Sequence, residues 1–161
     1  LSCMLILLSF VTVNAQEKKE LKEGDQAPTF KYLDINGKEV SLSDLKGKYV
    51  YIDVWATWCG PCQYELPHLK ELEKKMHGKK IVFVSISCDK DKAAWEKMVK
   101  EQGLGGVQLH NGGDREFMTA FGIRGIPRFI LLDKEGKIVN PNMTRPSNPE
   151  TEKTLKALKG I

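Results

Sequence analysis

The most constraining feature of this chain is a strand-like run that passes through a cysteine pair directly into a helix. Tyr49-Val-Tyr-Ile-Asp-Val-Trp55 is dense in β-branched and aromatic residues, which suits a central strand buried on both faces. Asp53 is the one residue that does not belong there. Trp58-Cys59-Gly60-Pro61-Cys62 follows, and then Leu66, Leu69, Leu72 and Met76 recur at helical spacing between Lys70, Glu73 and Lys74. That spacing predicts an amphipathic helix running to about His77, where Gly78 stops it.

This succession places Cys59 at a helix N-terminus. Unpaired backbone N–H groups and the helix dipole stabilise an anion there, so Cys59 is expected to titrate below the value of about 8.5 of a free thiol and to be the attacking thiolate. Cys62 lies one turn further on the same side, close enough to attack a mixed disulfide formed on Cys59 and release the partner reduced. Pro61 costs little, because its missing N–H falls where the helix has no partner for it. A zinc site is the alternative use of such a pair, but it needs four ligands, and no second pair stands at suitable spacing. A purely structural disulfide would close too small a loop to restrain much chain.

The rest of the chain reads as one α/β domain. Thr29 to Leu33 and Glu39 to Leu42 flank Asp34-Ile35-Asn36-Gly37, a hairpin turn signal. Further strands are expected at Lys80 to Ser87, Gly105 to Leu109, Arg128 to Asp133 and Lys137 to Asn140. Helices are expected at Asp91 to Gln102, Asp114 to Phe121 and Asn148 to Lys159, the last capped by Asn148 with Pro149 at its first position. Alternating βαβ units after a hairpin predict a mixed central sheet flanked by helices, with an N-terminal β-hairpin extension.

Residues 1 to 15 are uncharged and largely apolar, ending in Val13-Asn14-Ala15. They read as the core and cleavage site of a secretory signal peptide whose start lies upstream. Fifteen residues fall short of the roughly 20 that a membrane-spanning helix needs. Left uncleaved, the segment would act as a membrane tether. A lipoprotein reading built on Cys3 fails, because the apolar run follows that cysteine. Residues 16 to 24 read as a polar linker, and residues 25 to 161 as the domain. What remains is long enough to bury about 70% of its unfolded surface without a disulfide staple, which leaves the cysteines free for chemistry. The net charge of +4 comes from interleaved Lys, Arg, Asp and Glu, a pattern that argues against nucleic-acid binding.

Asp53-Val-Trp-Ala-Thr-Trp-Cys-Gly-Pro-Cys62 and Phe121-Gly-Ile-Arg-Gly-Ile-Pro127 resemble the two signature segments of thioredoxin. Gly24-Asp-Gln-Ala-Pro-Thr-Phe30, Leu42-Ser-Asp-Leu-Lys-Gly47 and Glu65-Leu66-Pro67 resemble the secreted TlpA/ResA-like thiol-disulfide oxidoreductases. The resemblance implies a thioredoxin fold and a Cys59/Cys62 dithiol-disulfide cycle without a bound cofactor or metal. It implies a cis Ile126–Pro127 bond facing the cysteines, with the Ile126 backbone offered to an extended substrate segment. Trp58, Gly60 and Pro61 would complete the substrate-binding surface. Asp53 matches the family's buried acid; burial should push its pKa toward neutrality and let it take the proton of Cys62.

Several positions depart from the family pattern. Gly60-Pro61 is the thioredoxin dipeptide and favours a reducing poise. Ser85 stands where thioredoxin often has a lysine near the buried acid, so Asp53 should be harder to ionise. Arg128 replaces a small polar residue after the proline; it either favours acidic partners or is an edge arginine facing solvent. Cys88 reads as a small buried hydrophobe rather than a second redox thiol. Glu65 reads as a helix-surface carboxylate or local hydrogen-bond partner, Pro67 as structural, and His68, His77 and His110 have no ligand spacing.

The expectation is therefore an exported enzyme reducing protein disulfides in the bacterial periplasm or at the outer face of the cytoplasmic membrane. It would draw electrons from a membrane-embedded thiol donor, because an oxidising compartment offers no NADPH-driven reductase. Two other readings stay open at this point. A peroxiredoxin-like peroxidase shares the opening segment, although that chemistry usually has Thr three residues before its reactive Cys, where this chain has Cys59. A non-enzymatic module would hold metal or a partner through the same cysteines.

Overall fold

The structure is a computed structural model and describes residues 20–161; residues 1 to 15, read above as a signal peptide, lie outside them. Seven strands form one sheet: β1 (Lys31–Asp34), β2 (Glu39–Ser41), β3 (Tyr49–Trp55), β4 (Ile81–Ser87), β5 (Val107–His110), β6 (Arg128–Leu132) and β7 (Ile138–Asn140). Their order across the sheet is β2-β1-β5-β4-β3-β6-β7. The helices are α1 (Gly60–Lys75), α2 (Lys92–Glu101), α3 (Glu116–Ala120) and α4 (Pro149–Lys156).

β3 is an interior strand of the sheet, parallel to β4 and antiparallel to β6, and all seven of its residues are buried. One face of β3 carries Tyr49 and Tyr51, which pack with Phe83, Phe129 and Leu131 beneath Leu69 and Leu72 of α1 and Leu155 of α4. Val50, Ile52 and Val54 point the other way and meet Phe117 and Met118 of α3 with Phe30, Tyr32 and Leu42 from the N-terminal part. The two-sided burial read from the apolar run is thus met by helices on one face and by α3 plus the N-terminal segment on the other.

β1 and β2 form the expected hairpin, with Gly37 at φ +78° in its turn and Asp34 Oδ1 accepting from the Asn36 and Lys38 backbones. Asymmetric pairing ties it into the molecule: β1 runs antiparallel to β5, matching Leu33 to His110. The hairpin is therefore one edge of the main sheet rather than an appendage. A short 3-10 helix, Leu42–Leu45, follows it and takes in Leu42, the last residue of the expected strand.

The described part of the segment read as linker is packed onto the domain. Leu21 packs against the core, Gly24 N–H donates to Ile138 O, and Gln26 bridges to Lys137. The C-terminal helix stops at Lys156 and not at Lys159; its start is as expected, with the Asn148 side chain accepting from Glu150 N–H and Pro149 in the first turn.

Candidate active site

The N-cap of α1 is Cys59 itself. Its Sγ accepts the Cys62 backbone N–H at 3.2 Å, so a negative charge on this sulfur would meet both that donor and the positive end of a sixteen-residue helix. Cys59 and Cys62 are joined in a disulfide with an S–S distance of 2.07 Å. Both pack with Trp55, Leu66 and Trp95. Pro61 occupies the first turn, and Gly60 has open space where a Cβ would stand.

Ile126–Pro127 is cis and leads directly into β6 beside β3. Trp58 is 70% exposed, so it belongs to the surface and not to the core. Trp58 and Ile126 line one cavity of about 610 Å³, together with Thr57, Cys88, Met118 and Ile123. Cys88 is half-buried in this wall, and burial with the neighbouring Asp89 carboxylate pushes its thiol up. It is less enclosed than a core hydrophobe, yet burial and Asp89 outweigh the pull of Arg115 toward a thiolate.

Asp53 is 3% exposed on the α1 face of β3. Burial pushes its carboxyl up to about 7, against the opposing pull of a hydrogen bond from Ser85 Oγ at 2.5 Å. Asp53 and Ser85 are register partners across the β3–β4 pair, so the serine does stand beside the buried acid. It supplies a donor in place of a cation.

Glu65 corrects the sequence reading. It is only 3% exposed, and it is no helix-surface carboxylate: its two oxygens accept from Ser147 N–H at 2.9 Å and Ser147 Oγ at 2.8 Å. This contact fastens the first half of α1 to the loop that precedes α4. The partner is distant in sequence, and no local pattern announces it. Arg128 is also tied down, its Nε donating to Pro141 O at 2.8 Å, and partial burial lowers its pKa. It is neither a free edge arginine nor a group aimed at the cavity.

The group that holds the loop in front of Cys59 was not legible in the sequence. Asp89 is 2% exposed and accepts from Thr57 N–H at 3.1 Å, Thr57 Oγ1 at 2.7 Å and Ser87 Oγ at 2.6 Å. His110, given no role from sequence, contacts Asp89 O through Nε2 at 2.8 Å, and its Nδ1 accepts from Gly112 N–H. The only sequence signal was a Ser-x-Asp at a strand end and a hydroxyl two residues before the cysteine. Among the described residues no three His, Cys, Asp or Glu side chains are grouped as metal ligands.

The arrangement can form, exchange and resolve a disulfide at Cys59, with an acid of near-neutral pKa on the same face of β3. Comparison with known proteins points the same way. The family model described as Redoxin matches residues 22–158. The thiol-disulfide oxidoreductase ResA of Bacillus anthracis is 32% identical over 143 residues, 88% of this chain and 82% of that one. ResA of Bacillus subtilis is 32% identical over 138 residues, covering 84% and 76%. Among solved structures, a candidate thiol-disulfide oxidoreductase of Bacteroides vulgatus is 66% identical with a TM-score of 0.75, over 81% of this chain and 86% of that one. The thioredoxin domain of another oxidoreductase from that organism is 31% identical with a TM-score of 0.78, over 85% and 97%. On this similarity, which spans most of the chain, the protein belongs to the Redoxin family as a ResA-like thiol-disulfide oxidoreductase of thioredoxin fold.

Proposed function

We propose that this oxidoreductase works outside the cytoplasm as a reductase of protein disulfides. The Cys59 thiolate attacks one sulfur of a partner disulfide; a Cys59–partner bond forms, the partner's S–S bond breaks, and the electron pair leaves on its other sulfur. Asp53 then accepts the proton of Cys62, whose sulfur attacks Cys59 Sγ and expels the second partner thiolate. Two electrons pass from the dithiol to the partner. The product is the Cys59–Cys62 disulfide, which a membrane-embedded dithiol donor reduces again.

The observation that carries this reading is Cys59 at the N-cap of α1, accepting the Cys62 N–H. Trp58, Gly60 and Pro61 on one side and the Ile126 backbone beside cis Pro127 on the other form the docking edge for an extended segment of the substrate. The cavity that Trp58 and Ile126 share receives a neighbouring side chain of that segment. The reducing direction rests on the Gly60-Pro61 dipeptide, and export rests on the apolar leader-like residues 1 to 15. None of the helices among the described residues is long and apolar enough to cross a membrane.

The deciding measurement is the redox potential of the pair, obtained by equilibrating the protein against dithiothreitol or glutathione buffers and following Trp fluorescence. A value near thioredoxin's, about −270 mV, is expected. A value near the strongly oxidising end, about −120 mV, would reverse the direction and make the protein a donor of disulfides.

A further inference from the structure

A buried polar row crosses the sheet beneath α1. Asp53 on β3 pairs in register with Ser85 on β4, and Ser85 pairs in register with Gln108 on β5. Register partners on adjacent strands point to the same face, so the three polar side chains stand in a line on a face otherwise occupied by Tyr51, Phe83 and Phe129. All three are buried. Ser85 Oγ donates to Asp53 Oδ1, and Gln108 Nε2 donates to Gly105 O at 2.7 Å. Gln108 Oε1 has no donor, and an unsatisfied buried acceptor costs on the order of 1 to 3 kcal/mol.

Glu73 closes the outer end of this row. A Cβ on Gly105 would lie 2.6 Å from Glu73 Oε2, and one on Gly106 would lie 3.2 Å from Oε1, so the carboxyl group rests on the backbone of these two glycines. Gly105 is the residue whose carbonyl holds the Gln108 amide. Glu73 is half-buried, and among the described residues no hydrogen bond or ion pair is formed by its carboxylate. One end of the row is thus sealed in the core at Asp53, and the other reaches water at Glu73.

We propose that Asp53 and Glu73, standing at the two ends of the Ser85–Gln108 row, work as a coupled pair of acids that carries one negative charge between them during disulfide exchange, with Gln108 Oε1 accepting from the protonated Glu73 carboxyl. Two like charges sharing a low-dielectric site resist simultaneous ionisation. Burial pushes Glu73 up to about 7, the same region as Asp53, and the Glu73 charge is one cause of the Asp53 shift. Lys70 on the same helix pulls Glu73 the other way. Tyr51 on β3 and Glu65 on α1 are the further titratable groups on this side. Ser85 and Gln108 bring no charge from β4 and β5, and His110 at the end of β5 is turned to Asp89.

Glu73 is a positioning residue in this scheme and touches no sulfur. It rests on the reading of Asp53 as the acceptor of the Cys62 proton: when Glu73 is ionised, Asp53 holds that proton more tightly and is the stronger base. Glu73→Gln removes the charge while keeping the shape, and its amide can donate to Gln108 Oε1. Asp53 should then ionise at lower pH.

The test follows the protonated carboxyl band of Asp53 by infrared difference spectroscopy against Asp53→Asn, in the disulfide form, across pH 5 to 9. Glu73→Gln is expected to lower the midpoint by at least about 0.5 pH unit, a threefold change in the ionisation constant. Gly105→Ala, whose new Cβ displaces the Glu73 carboxyl toward water, should lower it in the same sense. The limb of the pH–rate profile for reduction of a disulfide-bonded peptide should move with the midpoint, and Glu73→Gln should move nothing in the Asp53→Asn background. An unmoved midpoint in Glu73→Gln, or a rate shift that persists without Asp53, overturns the pair. A protein that reduces no disulfide would sink the proposed function alone, because the infrared titration needs no turnover.

Discussion

Two aspartates of this region sit in different surroundings. Asp53, in β3, and Asp89, just past the end of β4, are both almost completely buried. Asp89 accepts from a backbone N–H and two hydroxyls; Asp53 accepts from one serine hydroxyl, and its carboxyl is pushed up to about 7. Burial is common to both, so burial is not what separates them. The supply of donors is: three converge on Asp89, which holds the Thr57 loop in front of Cys59, and one serine hydroxyl meets Asp53 in its strand row.

The largest expected effect sharpens this contrast through pH. The folded protein holds the Asp53 proton more tightly than the unfolded chain does, so the native state binds more protons between pH 3.8 and about 7 and loses stability as pH rises through that window. Roughly three pH units correspond to about 4 kcal/mol. Asp53→Asn should therefore be more stable than the parent protein by an amount of that order at pH 8, with the gap closing by pH 4. Urea unfolding of the disulfide form at both values measures it, and a gap that stays constant with pH would erase the distinction between the two aspartates.

Next in size is the removal of Asp89. Asp89→Ala leaves the buried Ser87 hydroxyl and the partly buried Thr57 N–H and hydroxyl without their acceptor, and should cost about 2 kcal/mol of stability at pH 7. Turnover should fall with it, because the loop entering Cys59 loses its anchor. A loss below about 1 kcal/mol would mean that water replaces the carboxylate without penalty.

Ser85→Ala probes the same principle in the other direction. Its hydroxyl favours the charged form of Asp53, so deletion should move the Asp53 midpoint to higher pH, opposite in sign to Glu73→Gln. One hydrogen bond of about 1 kcal/mol corresponds to a shift just under one pH unit. The smallest effect belongs to a residue outside both networks. Trp58→Ala should leave stability within about 0.5 kcal/mol and show itself only as a raised KM for protein disulfides, measured beside an unchanged Asp53 titration.

Much of this was legible in the chain. The apolar run of β3 fixed a two-faced central strand, and the Cys59 position followed from the helix that starts there. The raised acid at Asp53 was visible as a lone carboxylate in that run, and Ser85 was placed beside it by the resemblance. Glu65 and Asp89 were not legible, and for the same reason. Their partners, Ser147 and Thr57, lie 82 and 32 residues away in sequence, and neither periodicity nor capping patterns speak at that range. Glu65 even carries the wrong local signal, a charged residue in an amphipathic helix, which ordinarily marks the solvent face.

Local sequence was sufficient wherever one physical preference acts within a few residues: strand propensity in Tyr49–Trp55, the helix start at Cys59, the Asn36-Gly37 turn and the Asn148 cap. Strand order and register were decided only in three dimensions. They bring the hairpin to β5, line up Asp53, Ser85 and Gln108, and lay Glu73 over two glycines. The reason is that a carboxylate's ionisation depends on every donor and charge within a few ångströms, while its neighbours in space come from four separate segments of the chain.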